Sequence, residues 1–281
     1  MSLEIVIPLA ISAGEINMSN FITKIHPKHL SKDIIVHRCD KHLILTGESG
    51  CGKTTFLKWL HTELIQSSPS ESISGSTQEV FAWTNNSIYA YFRAKRRFKA
   101  YQPKSPKVIE LSKERGSKLN PNFIQYILNL KIESLFAQID KDIEAVKELD
   151  NWFDRFENIL KKIFNDDSFR LTFDRKNYEF WMERDNKERF DLHHLSDGYS
   201  AIIDIVTELI LKIENTESKS FECEGIVLID EIEAHTHVEL QKRILPLLTS
   251  FFPNVQFIVT THSPFVLSSV ESENVVLSTV V

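Results

Sequence analysis

A lysine followed by two threonines, Lys53-Thr54-Thr55, closes the stretch Gly47-Glu48-Ser49-Gly50-Cys51-Gly52. The whole fits G-x-x-x-x-G-K-[ST], a loop whose chemistry is the holding of phosphates. Its glycines let successive backbone N–H groups converge on β- and γ-phosphate oxygens without Cβ clashes. The start of the following helix adds partial positive charge. Lys53 is expected to neutralise phosphate oxygens, and the Thr54 hydroxyl to ligate Mg²⁺. The stretch predicts a nucleoside triphosphate site.

Three further groupings carry chemistry. The apolar run Gly225-Ile226-Val227-Leu228-Ile229 ends in Asp230-Glu231. A buried strand beside the loop's own strand would bring Asp230 to the Mg²⁺ and set Glu231 one step on, to polarise an attacking water. Solvated strand caps also carry paired acids, and it is the coupling to the loop that favours catalysis. Thr260-Thr261-His262-Ser263-Pro264 follows another apolar run, and a histidine there can reach a γ-phosphate and report its presence. Alone it would read as incidental. Leu195-Ser196-Asp197-Gly198-Tyr199-Ser200 opens a helix, where serine and glycine are anion-binding features or a simple cap.

Other titratable clusters read as structural. His235 and His237 point apart at a helix start, so with Glu231 and Glu233 they do not make a metal site. His193 and His194 lack companion ligands. Cys39, Cys51 and Cys223 have neither disulfide nor zinc spacing.

The elements that must position these groups follow from pattern. His42–Thr46 reads as a buried strand into the loop, and Phe56-Leu57-Lys58-Trp59-Leu60 opens an amphipathic helix. β-type runs at 4–7 and 34–36 predict a small N-terminal antiparallel sheet within 3–46. Ser67 to Ser76 is a serine-rich loop, and Ser87–Phe92 a strand. From Asn122 to Asp197 there is neither glycine nor proline, and an apolar stripe runs from Leu128 to Ile163 at steps of three or four. That is one long helix, or two hinged near Asp140-Lys141-Asp142, serving as a cover on the sheet or as a projecting arm. Phe169–Phe173 and Tyr178–Met182 alternate as a hairpin. A helix over 199–213, strands at 226–229, 256–260 and 274–277, and a helix over 238–248 bent at Pro246 complete the pattern. It predicts an α/β fold, a mostly parallel sheet with covering helices. The expected organisation is a single domain, 1–281, with a helical insertion at 119–168.

Composition narrows the classes. The chain has 281 residues, 42% hydrophobic and 26% charged. No apolar run approaches bilayer length, and Met1-Ser2-Leu3-Glu4 lacks the basic start of a secretion signal, so a cytoplasmic location is expected. Formal net charge is −6, yet residues 93–118 carry ten cations against Glu110 and Glu114, a net of +8. Such asymmetry is either a footprint for an anionic partner, nucleic acid or acidic protein, or a solvated loop balancing the acidic helices.

The order of loop, Leu-Ser-x-Gly segment, strand with Asp-Glu, and strand with histidine resembles ABC-type ATPase domains with a P-loop NTPase core. Asp230-Glu231-Ile232-Glu233-Ala234-His235-Thr236-His237 and Thr-Thr-His-Ser-Pro look like the SMC, RecF and OLD branch, which includes ATPases of anti-phage Septu and retron systems. The similarity runs from about residue 40 to the C-terminus. It implies that two copies sandwich ATP and Mg²⁺, with the loop residues Gly47, Glu48, Ser49, Gly50, Cys51, Gly52, Lys53, Thr54 and Thr55 of one facing Ser196 and Gly198 of the other. It implies Asp230 and Thr54 at the metal, Glu231 as catalytic base and His262 as γ-phosphate sensor. Ser49 replaces an asparagine frequent in the branch, Asp197 interrupts the signature, and the family's glutamine falls on Gln102 or Gln78 without a secure match. Those departures imply slow turnover.

Three functions compete. The first is an ATP-driven switch, a homodimer or higher homo-oligomer that controls a separate effector in nucleic-acid surveillance, repair or anti-phage defence. The few residues between His262 and Val281 are too short for a nuclease domain, so a nuclease or toxin is expected on another chain. The second, the nucleotide-binding subunit of an ABC membrane transporter, predicts Leu-Ser-Gly-Gly-Gln and a proline after the catalytic acid, where this chain has Asp197-Gly198-Tyr199 and Ile232. The third, a small-molecule kinase, needs neither signature nor Asp-Glu pair.

Overall fold

The computed structural model describes residues 42–66, 86–270 and 275–279. The expected N-terminal antiparallel sheet, the serine-rich loop and Gln78 lie outside the described residues.

The chain begins with β1 (His42–Thr46), the phosphate loop and α1 (Lys53–Gln66). β2 (Ile88–Phe92) follows, then the basic segment and a short 3-10 turn at Asn120–Asn122. α2 (Phe123–Asp140) and α3 (Ile143–Phe164) form a helical pair. β3 (Arg170–Asp174), β4 (Glu179–Glu183) and β5 (Phe190–Asp191) precede α4 (Asp197–Glu214). The remainder is β6 (Gly225–Ile229), α5 (Val238–Gln241), α6 (Ile244–Phe251), β7 (Val255–Thr260), α7 (Pro264–Leu267) and β8 (Val275–Thr279).

Five of the strands form one parallel sheet in the order β2-β6-β7-β1-β8. β6 and β7 are buried throughout because helices cover both faces of the sheet, which is why they read as unbroken apolar runs. On one face Phe56, Leu57, Leu60 and Leu64 of α1 pack on Leu43, Leu45, Ile226, Leu228 and Ile258. On the other, α4, α6 and the inner halves of α2 and α3 close the larger core around Val227, Phe257 and Val259.

The order corrects one expectation: β6 is not beside β1, since β7 stands between them. The C-terminal edge therefore carries, side by side, the phosphate loop, the Thr261-His262 step, Asp230-Glu231 and the start of the basic segment. α1 reaches across this gap, its apolar stripe touching β1, β7, β6 and Tyr89 of β2.

The helical stripe resolves into two helices. Lys141 ends α2 with φ 58°, and the Asp142 carboxylate caps α3 by accepting the Ala145 N–H at 3.1 Å. Near their shared base Phe123, Leu128, Phe156 and Leu160 enter the core, whereas Phe136, Ile139 and Ile143 at the turn are exposed. The pair is a cover at its root and an arm at its tip.

In the antiparallel sheet Leu171 opposes Met182 and Phe173 opposes Phe180, the apolar pairing the alternation predicted. β5, two residues long, adds a third strand that no alternation signals. The 238–248 helix is not bent at Pro246 but broken a turn earlier, at Lys242-Arg243. Pro246 falls in the first turn of α6, where a missing N–H leaves no intrahelical bond unmade.

Candidate functional site

The loop folds on its own backbone. Gly50 and Gly52 take φ of 86° and 105°, conformations that side chains strain to reach, and the Phe56 N–H meets the Gly52 carbonyl at 2.9 Å to start α1. Lys53 is buried, and its Nζ donates to the carbonyls of Gly47 at 2.9 Å and Glu48 at 2.8 Å, with Cys51 Sγ at 3.4 Å. The amine is thereby held inside the curve of the loop. Thr54, one residue on, faces the carboxylate of β6.

Thr54 Oγ1 donates to Asp230 at 3.0 Å to one oxygen and 3.1 Å to the other. Thr260 Oγ1, at the end of the intervening β7, donates to Asp230 Oδ1 at 2.8 Å and accepts the Glu231 N–H at 2.7 Å. Asp230 thus meets Thr54 directly past the end of β7, with Thr260 as a second donor to the same carboxylate. Asp230 is buried, and its N–H bonds the Phe92 carbonyl of β2 at 2.8 Å. The phenol of Tyr91 on β2 is pushed above its ordinary value by burial and then by the charge of Asp230.

Glu231 adopts φ 45° in a tight turn whose Ala234 N–H returns to the Glu231 carbonyl at 2.8 Å. Glu233, two residues on, accepts the Thr261 hydroxyl at 2.7 Å and the His262 N–H at 2.6 Å. His262 itself is exposed, and the Thr261 N–H bonds the Leu45 carbonyl of β1 at 3.0 Å. Asp230, Glu231 and His262 are thus gathered at one edge with Lys53 and Thr54.

Ser196 occupies the N-cap position of α4, but its exposed side chain makes no cap bond. Gly198 is buried instead. A Cβ there would stand 3.1 Å from the His235 carbonyl oxygen and 3.4 Å from Thr236 Cα, so the glycine lets α4 abut the turn behind Glu231. Asp197 pairs with Arg97 at 3.9 Å, both exposed, a contact that contributes little. Among the described residues no hydrogen bond joins Ser196 or Gly198 to the phosphate loop of the same chain.

Gln102 does not face the phosphate loop. Its amide donates to the Tyr178 carbonyl and its oxygen meets His193 Nε2, each at 3.2 Å. The chain leaving β2 instead delivers Arg96, which lies buried against Asp230, Glu231 and Ile232 carbonyls. Burial pulls its guanidinium down to about 10, still charged at neutral pH. Sequence reasoning missed Arg96, one cation among ten, and Glu233, set aside with the histidines. Only a plus-two spacing after Asp-Glu, facing a Thr-Thr-His step, could have flagged the latter. Arg115 and Lys118 also have internal roles, donating to the Leu64 carbonyl and the Asp204 carboxylate. The free positive face of the segment is therefore smaller than its composition implies.

Thr54 and Asp230 present hard oxygen donors about one hydrogen bond apart, a set that fits Mg²⁺, which takes one or two protein oxygens beside phosphate and water. No cluster of three or more His, Cys, Asp or Glu arranged for a metal occurs among the described residues, and none of their helices is long and apolar enough to cross a membrane.

Residues 63–268 match the family model described as "AAA domain, putative AbiEii toxin, Type IV TA system". The phosphate loop lies just before that span. The Septu protein PtuA of Bacillus mycoides is 46% identical over 76 residues, 27% of this chain and 11% of that protein. The "Retron Vc95 probable ATPase" of Vibrio cholerae is 37% identical over 93 residues, 32% of this chain and 18% of that protein. The matches thus span less than a fifth of either relative. Among solved structures, an SMC head bound to the C-winged helix domain of ScpA aligns over 85% of this chain and 87% of that one, at 13% identity and a TM-score of 0.44.

Proposed function

The chain belongs to this AAA-domain family, and from that premise we propose that it is an ATP-driven switch that dimerises around ATP, hydrolyses it and controls a separate effector in anti-phage defence. The names of its relatives, a Septu protein and a retron ATPase, support the setting. One observation carries the chemistry: Thr54 from the start of α1 and Thr260 from the end of β7 both donate to the Asp230 carboxylate, and the same Thr260 hydroxyl holds the backbone of Glu231.

In this reading the N–H groups of residues 47–55 and Lys53 take the phosphates. Thr54 and Asp230 hold Mg²⁺, which when bound screens phosphate charge. Glu231 accepts a proton from the attacking water, and His262, fixed through its N–H by Glu233, contacts the γ-phosphate. Ser196 and the first turn of α4 close the site from a second copy, a role supported by the uncommitted Ser196 side chain. The transporter alternative draws no comparable support from the relatives. A cytoplasmic location and an effector on another chain belong to the same proposal.

Glu231→Gln tests it. Turnover should fall about a thousandfold, the scale of a lost general base, with ATP affinity retained. ATP-dependent dimers should accumulate in light scattering. A variant that stays monomeric with saturating ATP contradicts the sandwich, and one that hydrolyses normally removes Glu231 from the chemistry.

A further inference from the structure

Arg96 lies just beyond the C-terminal end of β2, and its guanidinium is almost wholly enclosed. Nη1 donates to the Asp230 carbonyl at 2.9 Å and to that of Arg93 at 3.2 Å. Nη2 donates to the carbonyls of Glu231 at 3.1 Å and Ile232 at 2.7 Å, while the buried Nε has no partner among the described residues. One planar cation therefore gathers three consecutive carbonyls of the turn that bears both carboxylates.

Consecutive carbonyls converge on a single point only where the chain curls, and the residue that curls is Glu231, at φ 45°. A side-chain-bearing residue keeps such a conformation only when its surroundings over-determine it. Here the surroundings act on both ends of the residue: Thr260 holds its N–H, and Arg96 holds its C=O together with the Ala234 N–H of the turn itself. No other side chain donates to the Asp230, Glu231 or Ile232 carbonyls among the described residues. Arg96 also stands amid Asp204, Glu233, Asp230 and Glu231, so its charge offsets an acidic neighbourhood that would otherwise repel itself.

We propose that Arg96 is a positioning residue for ATP hydrolysis: it fixes the backbone of Glu231 so that the carboxylate stands at the attacking water, and it does so without touching nucleotide. The inference rests on the reading of Glu231 as the general base. A purely structural staple between β2 and β6 would lower the melting temperature and leave the turnover of folded protein alone. A positioning role puts the loss into kcat.

The test uses the full chain with Arg96→Ala, ATP turnover, a fluorescent ATP analogue for binding, and millimolar guanidinium chloride as chemical rescue. kcat should fall about a hundredfold, as misplacement of a reacting group by an ångström does, with KM and analogue affinity within about threefold of wild type. Guanidinium should restore about tenfold of that loss by occupying the vacated carbonyls. A folded, ATP-binding variant with wild-type kcat, a loss confined to KM, or no response to guanidinium would each overturn the proposal. If the alanine variant does not fold, Arg96→Lys decides. Its shorter ammonium lacks the planar fork, and kcat should still fall about tenfold at unchanged KM, whereas wild-type kcat overturns the assignment. The wild-type chain run in parallel separates the two levels, since absence of turnover there removes the ATPase reading itself and this inference with it.

Discussion

The phosphate loop and the carboxylate turn sit at the same sheet edge and are held in opposite ways. The loop is shaped by its own residues: Gly50 and Gly52 bend it, and Lys53 is held by the carbonyls of Gly47 and Glu48 a few residues back. The turn from Asp230 to Thr236 is shaped from outside, by Thr54 on α1, Arg96 after β2, and Thr260 and Thr261 at the end of β7. A site assembled locally is damaged by local substitution and indifferent to most others. One assembled from four segments is sensitive to residues that never approach the substrate.

Substitutions can break that contrast or sharpen it. The largest effect in the loop belongs to Lys53→Ala, which should weaken ATP binding about a hundredfold by removing a buried charge-assisted contact, read by calorimetry, without disturbing the carboxylate turn. Glu233→Gln probes the other half. The amide keeps one acceptor for the Thr261 hydroxyl and the His262 N–H where the carboxylate offered two. Turnover should drop about tenfold with ATP affinity unchanged, and an equal loss of both would put Glu233 in the loop's half of the site.

The smallest effect is a control at the opposite end of β1. His42 accepts the Phe257 N–H at 3.2 Å, and burial pulls its ring down from 6.5 to about 4. Its contribution to stability is complete above pH 6.5. It fades as pH falls towards 4, because the unfolded chain takes up a proton there that the folded chain refuses. Allowing for the ring's partial exposure, the melting curve should record a loss of about 1 kcal/mol across that window. His42→Gln should flatten it, and an unchanged acid slope would assign the titration elsewhere.

How much of this was legible in the sequence follows the same division. The strands β1, β6 and β7, the loop and α1 announce themselves through apolar runs and glycines, since both faces of the sheet are covered. The hairpin registers through Leu171, Phe173, Phe180 and Met182. Strand order left no local trace: nothing in 255–260 says that β7 lies between β1 and β6. Arg96 was invisible because composition records a charge and not the carbonyls it meets. Glu233 was discounted for sitting among histidines, when its partners are twenty-eight and twenty-nine residues away. The break before Pro246 was misplaced because proline constrains its own turn and the residue before it, and the chain met that constraint by starting a new helix.

The polar stripe inside α4 has a mechanical consequence. Asp204 binds Lys118 and Asn120, Glu208 accepts the N–H groups of Leu119 and Asn120, and Lys212 donates to the carbonyls of Arg115 and Ser117. At the other end of the helix, Ser200 takes the N–H of Phe98. Helix and segment are therefore tied at both ends. The surface segment is thereby joined at one end to the helix that opens at Ser196 and, through Arg96, to the bend at Glu231.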